Sequence, residues 1–572
     1  MWRESIMNDV TCQLRSSTDS EPSGSAPPAP RKSLVRSAGV ISLATAASRV
    51  LGFVRDFLMA HLFGTGIQAQ AFIVAFRLPN LLRDLVAEGA MTSAIVPVLS
   101  GYRATKSPEE FWRLVQALCV RVMVIVTVVG LLGIVAAPWC VRLIAPGFGG
   151  DSAQFELTVR LTRVLFPFIT LVGAWAFFCG LLNTLHEFGL PALGPAMLNV
   201  VMIIGCVWVA PRVSPPSLGL AWAVMVGGVV QLAMQIPRAR KLGFRWRWVW
   251  HHPGSGEVLR LLGPRLLGTA VYQMEVLFMT ILASLGTVAG QGAVAALYFA
   301  NRLVQLPLAL FASASAQASL PVLSESAAMR DLVAFRSTIL SVLRMVLFES
   351  LPAAIGLMVL ARPIVQICFE RGAFDHSSTM ITSSTLSLLA IGLVGYAAGR
   401  VLSGAFYALR DTRTPVRLAC QALVLNIVMG AGSIRWLHVG GLALATALAS
   451  TIEAVLLVRA LERRIDAPLM PDLLDAFARM GLSAALMGGG CWLMWSALSP
   501  RLPSLIALPA TIVGGILVYG AACAVLRVAE INKVLRWIQL KRPTPTGSAS
   551  PSGSPSCPTS PASTSSKTPA AP

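Results

Sequence analysis

SRVLGFVRDFLMAHLFGTGIQAQAFIVAFRLPNLLRDLVAEGAMTSAIVPVLS, residues Ser48–Ser100, holds two apolar segments joined by a short glycine-bearing loop. Each segment is long enough to cross a bilayer, since about 20 apolar helical residues span the roughly 30 Å of hydrocarbon. Yet the stretch carries Arg49, Arg55, Asp56, Arg77, Arg83, Asp84 and Glu88. Ionisable groups at membrane depth are costly and persist chiefly where they face a cavity, a partner or a ligand. These residues therefore read as the wall of a polar cavity within an all-α polytopic membrane protein.

The rest of the chain agrees. Its 572 residues are 55% hydrophobic and 13% charged, with a mean hydropathy of +0.70. That is too apolar for a soluble protein of this size. The net charge of +20 invites a nucleic-acid reading, but the basic residues fall in short connectors between apolar runs rather than along one face. That is the positive-inside pattern, and no nucleic-acid partner is expected. The ten cysteines form no CxxC pair and the six histidines no ligand spacing, so no metal site is expected. Cys119, Cys179, Cys206, Cys491 and Cys523 sit inside apolar runs as small packing residues.

Residues 1–33, rich in Ser, Pro and charge, read as a disordered N-terminal tail without the apolar core of a signal peptide. Residues 541–572 read as a second, Pro/Ser/Thr-rich disordered tail. Between them lie about 14 candidate transmembrane helices: 35–61, 70–100, 114–138, 157–185, 191–211, 217–237, 261–285, 291–320, 337–361, 378–407, 415–435, 439–460, 477–498 and 504–527. With a cytoplasmic N-terminus, the inner connectors hold 18 Lys and Arg and the outer connectors 6. This bias places both termini in the cytoplasm. The densest inner connector, 238–260, mixes Arg238, Arg240, Lys241, Arg245 and Arg247 with Trp246, Trp248 and Trp250. Basic and aromatic residues together suit a lipid headgroup interface.

An internal repeat divides the chain. Pro97-Val98-Leu99-Ser100 recurs as Pro321-Val322-Leu323-Ser324, and Gly180, Leu185 and Pro191 recur at the same spacing as Gly404, Leu409 and Pro415. The expected fold is thus two six-helix lobes plus two extra C-terminal helices. The N-lobe is 34–237 (spans 1–6), the connector 238–260, the C-lobe 261–460 (spans 7–12), and spans 13–14 occupy 461–530. An even number of spans per repeat gives both lobes one topology. Transporters built from such repeats bind substrate at the lobe interface and work by alternating access.

Counting depth along the helices brings Arg55, Arg83 and Arg302 to a similar level from both lobes. Arginine suits bidentate binding of phosphate, so these three are candidates for an anionic, phosphate-bearing substrate, with Arg49 in support. The alternative is that each arginine pairs with a nearby acid: Arg49 with Asp56 along one helix face, Arg83 with Asp84 or Glu88. Asp56, Asp84, Glu88 and Glu275 are candidates for charge balance or gating, and Glu275 for pairing with a cavity arginine or a coupling cation. Arg121, Glu349, Arg400 and Glu453 are expected in near-interface or interhelical pairs. Pro79, Gly52, Gly89 and Pro97 suggest bent or broken helices. The sequence holds neither GxxxxGK[ST] nor HExxH, so no enzyme is expected. Nor is a cofactor; energy for transport would come from the membrane potential or an ion gradient.

These stretches carry a resemblance. SRVLGFVRD (48–56), AFRLPNLLRDLVAEGAMTSAIVPVLS (75–100), APGF (145–148), AWAVMVGGVVQL (221–232), NRLVQLPLAL (301–310), FERGAFD (369–375) and FYALRDTRTPVR (406–417) resemble the MurJ/MviN family, over about residues 34–530. That family belongs to the multidrug/oligosaccharidyl-lipid/polysaccharide exporter superfamily. The resemblance implies an inner-membrane lipid II flippase of peptidoglycan and cell wall biogenesis, which bears on cell shape. The substrate implied is undecaprenyl-diphosphate-linked disaccharide-pentapeptide, with membrane lipids and cell-wall synthesis proteins as further candidate partners. It places the cavity arginines at Arg49, Arg55, Arg83 and Arg302, and a groove for the lipid tail at spans 13–14. The chain departs from the family pattern in having Gln70 and Asn301 where acids are common, and Asp84 where some members are basic. Some members bind sodium through acids and amides on spans 7, 11 and 12; Asn426 and Thr446 match in type, without an evident carboxylate. A flippase for another polyprenyl-linked oligosaccharide, a multidrug exporter and a non-transporting membrane scaffold remain alternatives.

Overall fold

A computed structural model describes residues 31–85, 91–309 and 313–531. Both expected disordered tails therefore lie outside the described residues, save that helix begins already at Arg31. The principal helices are α1 (Arg31–Phe63), α2 (Ile67–Leu85), α3 (Met91–Thr105), α4 (Pro108–Ile144), α5 (Ser152–Leu165), α6 (Phe168–Thr184), α7 (Gly189–Ile204), α8 (Pro216–Ala233), α9 (Gly254–Ser284), α10 (Ala293–Pro307), α11 (Ser313–Ala328), α12 (Leu332–Val359), α13 (Ala361–Phe369), α14 (His376–Ala390), α15 (Leu393–Ala408), α16 (Arg413–Leu437), α17 (Val439–Ile465), α18 (Met470–Leu498) and α19 (Ser504–Val525). Among the described residues nine helices are long and apolar enough to cross a membrane, or ten if α14 and α15 form one span bent by 46°. The protein is all-α and membrane-embedded.

Each segment expected to span coincides with helix over its described residues, but several are built from two pieces. The segment 157–185 is divided at Phe166 and Pro167 between α5 and α6, where proline cannot supply a backbone donor. Segments 70–100 and 291–320 are each described as two helices flanking residues outside the description. The connector is shorter than expected: after a helical turn at Ile236–Lys241, residues 244–252 are free of helix and α9 already starts at Gly254. Helix starts follow local chemistry. Ser107 caps α4 by accepting from the Glu110 amide, with Pro108 in the first turn, and Asp151, Asp331 and Asp375 cap α5, α12 and α14.

The repeat seen in sequence reappears in packing. In the first half α1 packs on α7, α2 on α5, α3 on α6, α4 on α6, and α7 and α6 on α8. In the second half α9 packs on α16, α10 on α14, α11 on α15, α12 on α15, and α16 and α15 on α17. The second list is the first moved on by one repeat, so the two lobes share one topology. α18 and α19 pack on each other and on α12.

Polar ties fix that last pair to the second lobe. Arg336 on α12 donates to the Pro468 carbonyl and, at 2.6 Å, to Asp472; Arg344 pairs with the buried Glu530 at 2.9 Å. Pro352 removes the amide that would bond the Phe348 carbonyl one turn earlier. The Tyr519 hydroxyl from α19 donates to that carbonyl at 2.9 Å instead. In hydrocarbon an unmet carbonyl costs several kcal/mol.

Candidate functional site

The lobes meet where α2, α3 and α4 pack on α9, α2 packs on α10 and α1 packs on α13. Asp56, one residue after Arg55 on α1, is only 2% exposed. Arg55 binds it twice, Nε at 3.0 Å and Nη2 at 2.7 Å from Oδ1. Arg302, on α10 of the other lobe, brings its Nε to 2.9 Å from Oδ2. Tyr298, one turn before Arg302, donates its hydroxyl to Asp56 Oδ1 at 2.9 Å and accepts from Arg302 Nη2 at 3.2 Å. The Arg302 guanidinium also stacks over the Tyr298 ring, 5.1 Å from its centroid. From α7, Asn199 Oδ1 accepts from Arg55 Nη1 at 2.9 Å while its amide donates to the Ser48 carbonyl. One carboxylate thus joins guanidiniums from both lobes. A buried carboxylate holding two arginines leaves one positive charge unbalanced within the cluster.

Arg83 lies elsewhere. It pairs with its chain neighbour Asp84 at 2.9 Å, beside an apolar cleft formed with Val126, Ile169 and Val172 of the same lobe. Asp84 also accepts from Asn80 at 3.2 Å and from Gln273 of α9 at 3.4 Å, a second polar contact between lobes. Arg49 is exposed on α1 and forms no pair with Asp56, whose oxygens are taken by Arg55, Tyr298 and Arg302. Glu88 lies outside the described residues. Of the arginines named from sequence, Arg55 and Arg302 share Asp56, and Arg83 pairs with Asp84.

Glu275 on α9 does not meet a cavity arginine. It accepts from Asn426 Nδ2 on α16 at 3.0 Å, and Asn426 Oδ1 accepts from Thr446 on α17 at 3.3 Å. Here is the carboxylate that Asn426 and Thr446 lack in the sequence pattern. A carboxylate, an amide oxygen and a hydroxyl from three helices are hard oxygen donors of the kind hard cations prefer. Arg121, expected in a near-interface or interhelical pair, joins α4 to the start of α9, donating to Ser255 and to the Trp250 carbonyl.

The end of the bundle that holds the α1–α2 turn is closed by backbone. The Ala373 amide donates to the His61 carbonyl at 2.8 Å, and the Thr65 and Ser378 hydroxyls lie 2.8 Å apart. Gly64, at φ +54°, would place a Cβ 2.2 Å from the Ala373 carbonyl oxygen. Gly147 would place one 2.1 Å from the Ser284 carbonyl oxygen. Only glycine allows this approach between lobes.

Two six-helix repeats meeting at a buried, arginine-rich cluster have the architecture of a membrane transporter. A solved multidrug-resistance MATE family transporter of the MOP superfamily, in an inward-facing conformation, shares this fold: TM-score 0.62 at 14% identity, over 73% of this chain and 94% of that one. A structure of the lipid II flippase MurJ in an inward closed conformation superposes with a TM-score of 0.73 at 26% identity, covering 87% and 99%. In sequence, the probable lipid II flippase MurJ of Vibrio cholerae is 35% identical over 83% of this chain and 94% of its own length. The lipid II flippase MurJ of Burkholderia cenocepacia is 33% identical over 80% and 89%. The profile of the family described as lipid II flippase MurJ matches residues 59–513. The chain belongs to the MurJ family.

Proposed function

We propose that this protein moves lipid II, undecaprenyl-diphosphate-linked disaccharide-pentapeptide, from the inner to the outer leaflet of the bacterial inner membrane. Its membership of the MurJ family, whose named relatives are lipid II flippases, supports the substrate. The observation that carries the mechanism is the sharing of Asp56 between Arg55 and Arg302 of opposite lobes. A diphosphate offers each arginine a better bidentate partner than half a carboxylate. It would compete with Asp56, loosen the link between lobes and let them rock into the outward-open arrangement. Arg83 would hold the headgroup second, exchanging Asp84, and Arg49 would meet it at the cavity rim. No covalent step is involved.

In this reading the α3–α4 end is cytoplasmic, as are both termini, in keeping with the basic bias of the connectors at that end. Spans 13–14, carried on α12, would guide the lipid tail. Glu275, Asn426 and Thr446 would hold a sodium ion, which supplies charge coupling to the membrane gradient; the residues themselves tie α9 to α16 and α17.

The test is complementation of a bacterium depleted of its lipid II flippase, with membrane levels of each variant measured. Wild type should rescue, and well-expressed Arg83→Ala and Arg302→Ala should not. Rescue by both variants would overturn the arginine mechanism. Failure of a well-inserted wild type would point to another polyprenyl-linked oligosaccharide.

A further inference from the structure

Between the lobes runs a strap, residues 244–252, pinned at its ends by Phe244 and His252 and by backbone contacts, with side chains 245–248 exposed. Phe244 is buried against Phe178, their rings 5.3 Å apart and edge-on. Gln116 on α4 donates to the Arg245 carbonyl at 2.9 Å, and Arg121, further along α4, to the Trp250 carbonyl at 2.9 Å. His252 stacks edge-on against Tyr102. Between these pins Trp246, Trp248 and Trp250 are 56%, 69% and 42% exposed. Arg245 and Arg247 are exposed too and form no ion pair among the described residues. Such a strap spends no side chain from 245 to 248 on its own folding.

Trp246, Trp248 and Trp250 alternate in sequence with Arg245 and Arg247, and all five are exposed. Position and charge both identify what they meet. α4 turns lipid-facing at Ile125 and Val128, both exposed apolar residues. At 1.5 Å per residue, Ile125 is about 6 Å along α4 from Arg121. The strap therefore lies at the edge of the hydrocarbon, where tryptophan rings favour the headgroup layer. The surroundings are basic: residues 238–260 hold Arg238, Arg240, Lys241, Arg245, Arg247 and Arg260 against the single acid Glu257.

We propose that this strap is a binding site for anionic phospholipid headgroups of the leaflet at the α3–α4 end. The tryptophans seat in the headgroup layer and Arg245 and Arg247 contact lipid phosphates. The site is separate from the Asp56 cluster, and it is placed to act on α9: Arg121 grips both the Trp250 carbonyl and, at 2.6 Å, Ser255 in the first turn of that helix.

The experiment measures binding of dioctanoyl phosphatidylglycerol and dioctanoyl phosphatidylcholine to the full-length protein in detergent. Each basic residue near an anionic lipid surface contributes about a fivefold factor. Arg245→Gln with Arg247→Gln should therefore weaken phosphatidylglycerol binding about 25-fold and leave the weaker phosphatidylcholine binding unchanged. Trp246→Ala with Trp248→Ala should weaken both lipids. Arg245→Lys with Arg247→Lys keeps the charge and should stay near wild type, which separates loss of the site from loss of the fold. Wild-type affinity in the glutamine variant, or equal affinity for the two lipids, would overturn the proposal. So would loss of binding on Arg302→Gln alone, which would place the lipid in the central cluster. Glycerol phosphate binding at the strap as tightly as phosphatidylglycerol would replace the lipid by a free phosphate ligand.

Discussion

Asp56→Asn tests the link between lobes most directly. Asparagine keeps the shape of the side chain but removes the charge that Arg55 and Arg302 share. Removing one partner of a buried ion pair costs about 3–5 kcal/mol. The Arg302 side chain is 38% exposed, which favours the lower end, about 3 kcal/mol. At about 1.4 kcal/mol per tenfold, the closed arrangement should lose about a hundredfold relative to one with the lobes apart. The Ala373 amide reports this, because its bond to the His61 carbonyl joins the lobes at the closed end, little more than one turn along α1 from Asp56. Hydrogen exchange of peptides covering Ala373 should show protection lower by about two orders of magnitude, since protection follows the free energy of local opening. Protection equal to wild type, in a variant that is folded and inserted, would refute the idea that Asp56 holds the lobes together.

Gly64→Ala should act at the same closed end by crowding rather than charge. Its Cβ would sit 2.2 Å from the Ala373 carbonyl oxygen at a φ of +54°, so about 1–3 kcal/mol of the closed arrangement should be lost, read as faster exchange at Ala373 with α-helix content unchanged. Glu275→Gln should abolish any rise in melting temperature on adding sodium chloride over potassium chloride, a difference the wild type should show. His252 predicts a pH dependence: burial lowers its pKa below the ordinary 6.5, and its Nδ1 accepts from the Gly254 amide, which requires the neutral ring. The folded protein binds the proton later than the unfolded chain, so stability should be flat above about pH 6.5 and fall as pH drops towards the lower folded value. The slope should vanish in His252→Asn, measured by thermal unfolding.

Much of the fold was legible because membrane helices announce themselves through apolar length, and the Pro97–Ser100 repeat revealed that the halves match. The breaks were less legible. Pro167 marks one, but at the 46° bend between Ala390 and Leu393 the lone Gly392 is a weak sign beside a proline. In the site, Arg55 and Arg302 stood out as charges in apolar runs, yet the sharing of Asp56 did not. Arg302 has no acid nearby in sequence, and its partner lies in the other half of the chain. The signal available was the repeat itself, which packs α2 against α10 across the lobe boundary. Glu275 escaped for the same reason: its amide partner Asn426 is on α16, and only packing places the two 3.0 Å apart. Arg121 makes the interhelical tie its sequence suggested, but to a carbonyl and a hydroxyl, which sequence alone does not distinguish from an acid. Tyr298 was missed altogether, since a lone tyrosine in an apolar helix gives no sign that its hydroxyl bridges two charges.

The ties along α12 bear on how such a chain can change its length over evolution. Cutting it after α17 would strand Arg344, remove the acid that meets Arg336 and leave the Phe348 carbonyl, already deprived by Pro352, with no donor. A truncated descendant would first have to rewrite α12, with apolar residues in place of Arg336 and Arg344 and a residue carrying an amide hydrogen in place of Pro352. Whether a related chain ends with the extra helical pair should therefore be readable from α12 alone, well upstream of the pair itself.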